Sequence, residues 1–166
     1  MTTLSKTDVF RDAMASFASG ITAITTRDAD QPLGLIATSV CSLSAEPPSL
    51  IICVNKMASA HDVILRQKYF AVNLLAANQK TVAQRFASHK GAERFEPALW
   101  TSLRTGAPIL RDALVAFDCT VLAVHDGFSH SIIVGEIVEA ELGATENGSC
   151  LLWHQRDFAR SALFGD

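Results

Sequence analysis

Residues 35–59 read LIATSVCSLSAEPPSLIICVNKMAS, and four different features follow one another within them. A hydroxyl-rich segment comes first, then the Pro47-Pro48 pair, then a short apolar run, and then a polar loop that reaches Ser59. Proline cannot donate a hydrogen bond to a neighbouring strand, so we expect the pair outside a central strand and predict a buried strand at residues 49–54. Hydroxyl groups, strand-edge N–H groups and Lys56 can together hold a phosphate and a polyol chain.

The hydrophobic pattern around this stretch predicts a mainly β chain with a few peripheral helices. Further strands are predicted at residues 21–26, 33–40, 69–75, 113–125 and 130–142, and helices at residues 7–19, 59–66 and 78–87. Asp126-Gly127-Phe128-Ser129 lies between the two longest strands and predicts a hairpin. Residues 88–111 are expected to be mostly loop, and residues 151–158 a final strand and turn.

The spacing of strands and turns favours a closed antiparallel sheet over a doubly wound α/β fold. The sequence contains neither the Gly-x-Gly-x-x-Gly fingerprint nor a P-loop. A nucleotide cofactor would therefore have to bind without a glycine-rich helix terminus. The length of 166 residues, with no repeat and no linker, predicts one domain over residues 1–166.

Composition and charge argue against several classes of function. The net charge is −3 and no cluster of Lys and Arg occurs, which argues against nucleic-acid binding. The apolar runs are too short to span a bilayer, and the first residues lack the pattern of a secretory leader, so we expect a cytoplasmic protein without a membrane segment. Apolar residues make up 49% of the chain, which predicts that some apolar surface meets a partner chain.

The cysteines and histidines do not predict a metal site. Cys41, Cys53, Cys119 and Cys150 are widely spaced, and we interpret them as structural thiols. The five histidines show no spacing typical of metal ligands.

Five pieces of the sequence, taken in order, resemble the small flavin reductases, the NAD(P)H-using partners of two-component aromatic hydroxylases. The pieces are residues 10–20, residues 37–44 with Pro47-Pro48, residues 70–75, His130, and the aromatic and basic tail at residues 153–158. This resemblance implies a split β-barrel that forms a homodimer. It also implies an enzyme that transfers hydride from NAD(P)H to FMN or FAD, whose reduced flavin serves a flavin-dependent monooxygenase.

The resemblance also assigns the candidate cofactor-binding residues. Those expected to contact the isoalloxazine and ribityl groups are Thr38, Ser39, Val40, Cys41, Ser42 and Ser44. Those expected on the phosphate side are Asn55, Lys56, Ser59 and Ala60, with Arg85 as a second phosphate partner. Trp153 and Arg156 are expected near the dinucleotide, with Arg156 at its pyrophosphate. From the residues alone, 38–44 could instead be a plain edge strand, Lys56 a solvated charge, and Trp153 a dimer-core aromatic.

His130 is the candidate catalytic residue, because it occupies the place of a family histidine that faces the nicotinamide. In the family an aspartate directly precedes that histidine, whereas here Phe128 and Ser129 separate Asp126-Gly127 from His130. The role of Asp126 therefore stays open. A nucleophilic Ser129-His130 pair is disfavoured, because adjacent residues rarely reach the geometry that activation requires.

Two further functions remain as alternatives. A second branch of the family keeps its flavin and reduces a bound corrin cobalt during cobalamin synthesis. A non-catalytic flavin- or haem-binding barrel is the alternative of another class, although His130 and Arg156 favour catalysis.

Overall fold

The computed structural model describes residues 5–143 and 148–165. The helices are α1 (Lys6–Ala15), α2 (His61–Gln67) and α3 (Lys80–Ser88), with 3-10 turns at Ala77–Gln79 and Gly91–Phe95. The strands are β1 (Ser19–Gly20), β2 (Thr22–Asp28), β3 (Gln31–Ala37), β4 (Val40–Ala45), β5 (Pro48–Asn55), β6 (Tyr69–Leu74), β7 (Trp100–Ser102), β8 (Pro108–Leu110), β9 (Val115–Gly127), β10 (His130–Leu142), β11 (Leu151–His154) and β12 (Asp157–Arg160). Within the described residues, no helix combines the length and apolar character needed to cross a bilayer. The prediction of a mainly β chain with peripheral helices is confirmed.

Seven strands form the principal sheet, in the order β3-β2-β6-β9-β10-β5-β4, and every neighbouring pair is antiparallel. The two edge strands of this sheet, β3 and β4, are consecutive in the chain and are separated by Thr38 and Ser39 alone. Three virtual bonds of the backbone span at most about 11 Å, so Ala37 and Val40 must lie close together. The sheet therefore curves until its two edges approach each other at this link. Within the described residues β3 and β4 do not pair with each other, so the barrel stays split between them.

The inside of the curved sheet is packed with aliphatic and aromatic side chains. Fully buried members of this cluster include Ile24, Ile52, Phe70 and Ile133, which come from four different strands. Ile64 of α2 belongs to the same cluster, so α2 packs against one part of the interior. Burial of such side chains contributes roughly 1.5–3 kcal/mol each to folding.

A second cluster lies beneath α3, outside the principal sheet. Phe86, Phe95 and Trp100 pack against one another with ring centroids 4.8–6.0 Å apart. The indole N–H of Trp100 donates to the carbonyl of Phe95 at 2.8 Å, so its polar atom is satisfied. The three-stranded sheet β1-β11-β12 adds Leu151 and Phe158 to this cluster.

The structure corrects several predicted boundaries. The strand predicted at residues 33–40 ends at Ala37 and the chain forms a new edge strand from Val40. Residues 88–111 are not mostly loop, because they contain a 3-10 turn and the β7–β8 pair. The helix predicted at residues 7–19 ends at Ala15, and Pro48 is the first residue of β5, a position that proline tolerates.

The predicted hairpin between the two long strands is confirmed, with a shifted turn. Asp126 and Gly127 belong to the end of β9, and the turn residues are Phe128 and Ser129. Phe128 takes the left-handed conformation with φ of 64° and its side chain is 92% exposed. The final segment forms two paired strands, β11 and β12, in place of one strand and a turn.

Candidate functional site

A cavity of about 460 Å³ lies beside Thr38 and the edge strand β4. Its apolar lining includes Val40, Leu50, Val72, Leu74, Val115, Phe117 and Ile137, and its hydroxyl-bearing lining includes Ser19, Thr22, Thr38, Ser42 and Ser49. Leu50 and Val72 also belong to the interior core cluster. The cavity is therefore a continuation of the barrel interior beside the edge strand β4.

Four of the predicted flavin-contacting residues line this cavity, namely Thr38, Val40, Cys41 and Ser42. They lie in β4 or just before it, and β4 pairs with β5 alone within the described residues. An edge strand leaves N–H and C=O groups free on its outer side, so β4 offers backbone donors as well as hydroxyls.

The other two predicted contacts on this stretch, Ser39 and Ser44, do not line the cavity. The Ser44 hydroxyl accepts from the Glu46 N–H at 3.1 Å and donates to the Glu46 carbonyl at 3.0 Å, which closes the turn into β5. The Ser39 carbonyl accepts from the Cys53 N–H at 3.1 Å, and its side chain is exposed.

Three lining residues from the chain before β2 were missed by the sequence analysis, namely Ala18, Ser19 and Gly20. A Cβ on Gly20 would lie 3.0 Å from Leu74 Cδ1, so a glycine allows β1 to approach β6 closely. The run of small residues at 18–20, shortly after α1, is the sequence signal that could have predicted this side of the cavity.

The loop predicted on the phosphate side is docked on the β9–β10 hairpin. The Lys56 N–H donates to the Ser129 carbonyl at 3.0 Å, and the Lys56 ammonium pairs with the Asp126 carboxylate. Asn55 Oδ1 accepts from the Met57 N–H at 2.9 Å, which shapes the start of the loop. Farther along, the predicted contact Ser59 is exposed, whereas Ala60 is fully buried in the core.

The ion pair gives Asp126 a role that the sequence left open. The hydrogen bond and the charge of Lys56 lower the pKa of Asp126. A lowered pKa means that the pair contributes stability at neutral pH and loses it as the pH falls through that pKa. The contribution is small, because the Asp126 side chain is 72% exposed.

His130 is the first residue of β10 and lies directly opposite Asn55 in β5. Its Nδ1 lies 2.9 Å from the Ser129 hydroxyl, and its side chain is partly buried. The structure thus brings the candidate catalytic histidine and the phosphate-side loop together on one side of the hairpin.

A second cavity, of about 490 Å³, adjoins the first and shares Thr38 with it. Trp153 and Phe158 form one wall with an edge-to-face contact at 5.3 Å, and Ala83 and Gln84 of α3 form another. Trp153 is therefore near the predicted flavin site.

The two predicted arginines lie elsewhere. Arg156 is in the left-handed turn between β11 and β12 with φ of 61°, and it pairs with Asp12 of α1. Arg85 donates to the Glu93 carbonyl at 2.8 Å and lines a separate cleft of about 550 Å³.

All four cysteines are free thiols. Burial raises the pKa of Cys53, of Cys150 and, to about 12, of Cys119, so these three are protonated at neutral pH. Cys41 is exposed and lines the first cavity.

Comparison with known proteins places this geometry in a family. A family model described as "Flavin reductase like domain" matches residues 14–162. An FMN reductase (NADH) RutF from Agrobacterium fabrum is 39% identical over 136 residues, which are 81% of this chain and 78% of that protein.

Two solved structures share the fold over nearly the whole chain. BorF, the flavin reductase component of a bacterial two-component tryptophan halogenase, has a TM-score of 0.84 and 33% identity, covering 93% of this chain and 98% of its own. The NADH:FAD oxidoreductase SgcE6 of Streptomyces globisporus, in complex with NAD and FAD fragments, has a TM-score of 0.89 and 28% identity, covering 100% of both chains. The flavin-reductase-like fold expected from the resemblance is confirmed.

Proposed function

Because the chain belongs to the family of flavin reductase like domains, we propose that this oxidoreductase passes hydride from NADH to a flavin held in the cavity beside Thr38 and β4. One observation is the main support for this location of the site. Thr38, Val40, Cys41 and Ser42, which the family resemblance assigned to the flavin, line that cavity together.

The cavity has the chemical character that a flavin requires. Its volume of about 460 Å³ falls within the range of small-molecule pockets, roughly 300–1,000 Å³. Phe117, Val72 and Ile137 offer an apolar surface to a planar ring. Thr38 and Ser42 offer hydroxyls, and the free edge of β4 offers backbone N–H groups to ring oxygens and nitrogens. The residues present therefore fit a flavin.

A bound flavin supplies the hydride-accepting ring, and the protein supplies binding, orientation and electrostatics. The N–H groups of β4 and the hydroxyls of Thr38 and Ser42 favour an electron-rich ring, because donors stabilise developing negative charge. The apolar residues of the cavity exclude water from its floor. Lys56 holds negative charge on the phosphate side, and His130 orients the nicotinamide of the donor. Correct placement of the two reactants lowers the barrier without any general base.

We favour NADH as the donor and FMN as the acceptor. The relative named FMN reductase (NADH) is 39% identical to this chain, whereas the relative named NADH:FAD oxidoreductase is 28% identical. A flavin phosphate near Lys56 is common to both cofactors.

We also propose that the protein is a homodimer whose reduced flavin serves a separate flavin-dependent monooxygenase. BorF is a component of a two-component halogenase, which supports a role in delivering reduced flavin. Helix α1 has no buried residue, and the aromatic side chains of Phe10 on it and of Phe17 just after it are 63% and 61% exposed. An amphipathic helix with uncovered aromatic side chains is typical of a surface that a second copy covers.

The test of the proposed activity is anaerobic oxidation of NADH by the purified protein, with FMN, FAD and a cob(II)alamin-type corrin supplied separately. We expect rapid oxidation with FMN, slower oxidation with FAD, and none with the corrin alone. Oxidation that requires the corrin would point to the corrin branch. A protein that binds flavin but leaves NADH unoxidised would overturn the proposal in favour of a binding protein.

A further inference from the structure

A buried hydrogen bond joins the start of α2 to the strand that carries His130. His61 is 6% exposed and Ser131 is 4% exposed, and His61 Nε2 lies 2.8 Å from Ser131 Oγ. On its other side, His61 Nδ1 lies 2.6 Å from Asp62 Oδ1. The two partners are 70 residues apart in the chain, so the contact is a tertiary link between elements.

The order Ser131, His61, Asp62 is that of a nucleophilic triad, but the surroundings exclude that role. Ser131 is buried opposite Val54 in the adjacent strand, and Val54 is fully buried, so a substrate cannot reach the hydroxyl. The Asp62 side chain is 86% exposed, whereas the acid of a triad is buried behind its histidine. The group therefore has a structural or positioning function.

The tautomer of His61 follows from its two partners. The Asp62 carboxylate can only accept, so His61 Nδ1 carries the proton and donates to it. In the tautomer that carries its proton on Nδ1 alone, Nε2 accepts from the Ser131 hydroxyl. The exposed Asp62 thus sets the direction of the buried hydrogen bond.

This hydrogen bond joins two parts of the proposed site, namely the phosphate-side loop that contains Lys56 and Ser59, and His130. Ser131 directly follows His130, and His61 directly follows the loop that contains Lys56 and Ser59. Asn55 at the start of this loop also lies opposite His130 in the β5–β10 pair. Two further contacts between the loop and the hairpin lie at the surface, namely the Lys56 N–H to the Ser129 carbonyl and the Lys56–Asp126 pair. Water competes for the hydrogen-bonding groups of these two surface contacts, whereas the hydrogen bond between His61 and Ser131 is buried away from water.

We infer that His61 is a positioning residue, which fixes the phosphate-side loop in register with His130 through Ser131. This inference rests on the proposed function, because it assigns the loop to the flavin phosphate and His130 to the nicotinamide. The hydrogen bond couples the two binding halves, so its loss raises the KM for FMN and lowers kcat together.

The test compares three variants for steady-state NADH oxidation, thermal stability and hydrogen exchange. His61→Ala removes the acceptor. His61→Gln places an amide within reach of Ser131 and can restore the hydrogen bond. Thr25→Val is the matched control, because it removes another buried hydroxyl, which donates to the Pro108 carbonyl at 2.6 Å, away from the loop.

We expect His61→Ala to lower kcat/KM for FMN about tenfold, the scale of one buried hydrogen bond, and His61→Gln to recover most of it. Exchange of the Lys56 N–H should accelerate in His61→Ala and stay slow in Thr25→Val. Equal kinetic losses in His61→Ala and Thr25→Val at equal loss of stability would overturn the inference, and so would unchanged exchange at Lys56. If the parent protein itself fails to oxidise NADH with FMN, the proposed function fails, whereas the exchange measurement still reports on the coupling.

Discussion

Lys56 is the residue that we propose binds the flavin phosphate, and its ammonium group already forms an ion pair with Asp126 of the hairpin. We expect Lys56→Ala and Ser59→Ala to weaken FMN binding about 10- to 100-fold, because each removes a contact to the phosphate, and a hydrogen bond to a charged group contributes roughly 1.5–3 kcal/mol. Fluorescence titration measures the dissociation constant. Riboflavin, which lacks the phosphate, serves as the control ligand and should bind the parent and both variants equally. Unchanged FMN affinity in both variants would show that the phosphate binds elsewhere.

His130 provides a second test at the residue scale. If it orients the nicotinamide, His130→Ala should bind FMN normally but lose NADH-driven reduction, because a positioning contact lowers the barrier without holding the flavin. Stopped-flow bleaching of the flavin absorbance at saturating NADH measures the rate per flavin-loaded protein. A rate within about twofold of the parent, less than ~0.5 kcal/mol of barrier, would leave His130 without a part in the hydride transfer.

At the scale of elements, Asn73 connects three strands from a fully buried position in β6. Its side-chain amide donates to the Ala23 carbonyl of β2 at 3.0 Å, and its Oδ1 accepts from the Leu110 N–H of β8 at 2.8 Å. We expect Asn73→Ala to lower the free energy of unfolding by about 1–3 kcal/mol, because the Leu110 N–H loses its partner inside the protein. Urea denaturation measures this loss. Activity per folded molecule should stay near that of the parent, and a selective loss of activity would contradict a purely structural role.

The long elements of this fold were predictable, because their sequence patterns are local. Alternating hydrophobicity located β9 and β10, and the apolar run after Pro47-Pro48 located β5. The split at Thr38 was not predictable as a break, because no glycine or proline interrupts residues 33–45 except Gly34 within β3. The three-residue strands β7 and β8 are too short for any period to show.

The candidate site was predictable only in part, and the reason is again distance along the chain. Thr38, Val40, Cys41 and Ser42 were found through their resemblance to a family, since hydroxyls alone could equally mark an edge strand. The pairing of His61 with Ser131 carries no local signal, because it depends on the register of β10 against β5.

At the scale of the whole molecule, α1 and the two residues after it leave large apolar side chains exposed, namely Val9, Phe10, Met14 and Phe17. We expect a homodimer at micromolar concentration by light scattering, and Phe10→Lys should shift it towards monomer, because a charge would be buried at the interface. Leu99→Lys is the control, since Leu99 is similarly exposed, at 64%, but directly precedes β7 and is not part of α1. A parent protein that is monomeric at these concentrations would contradict the proposed assembly.

If the flavin occupies the cavity beside Thr38 and β4, as we propose, then filling that cavity must block the reaction. Ser42 lines the cavity, whereas the next residue, Leu43, is 52% exposed on the same edge strand. FMN-dependent NADH oxidation should therefore fall at least about tenfold in Ser42→Trp, a loss of ~1.4 kcal/mol or more, and stay near the parent rate in Leu43→Trp. Both variants should keep the parent's circular dichroism spectrum. Full activity in a folded Ser42→Trp protein would contradict the claim and place the flavin elsewhere.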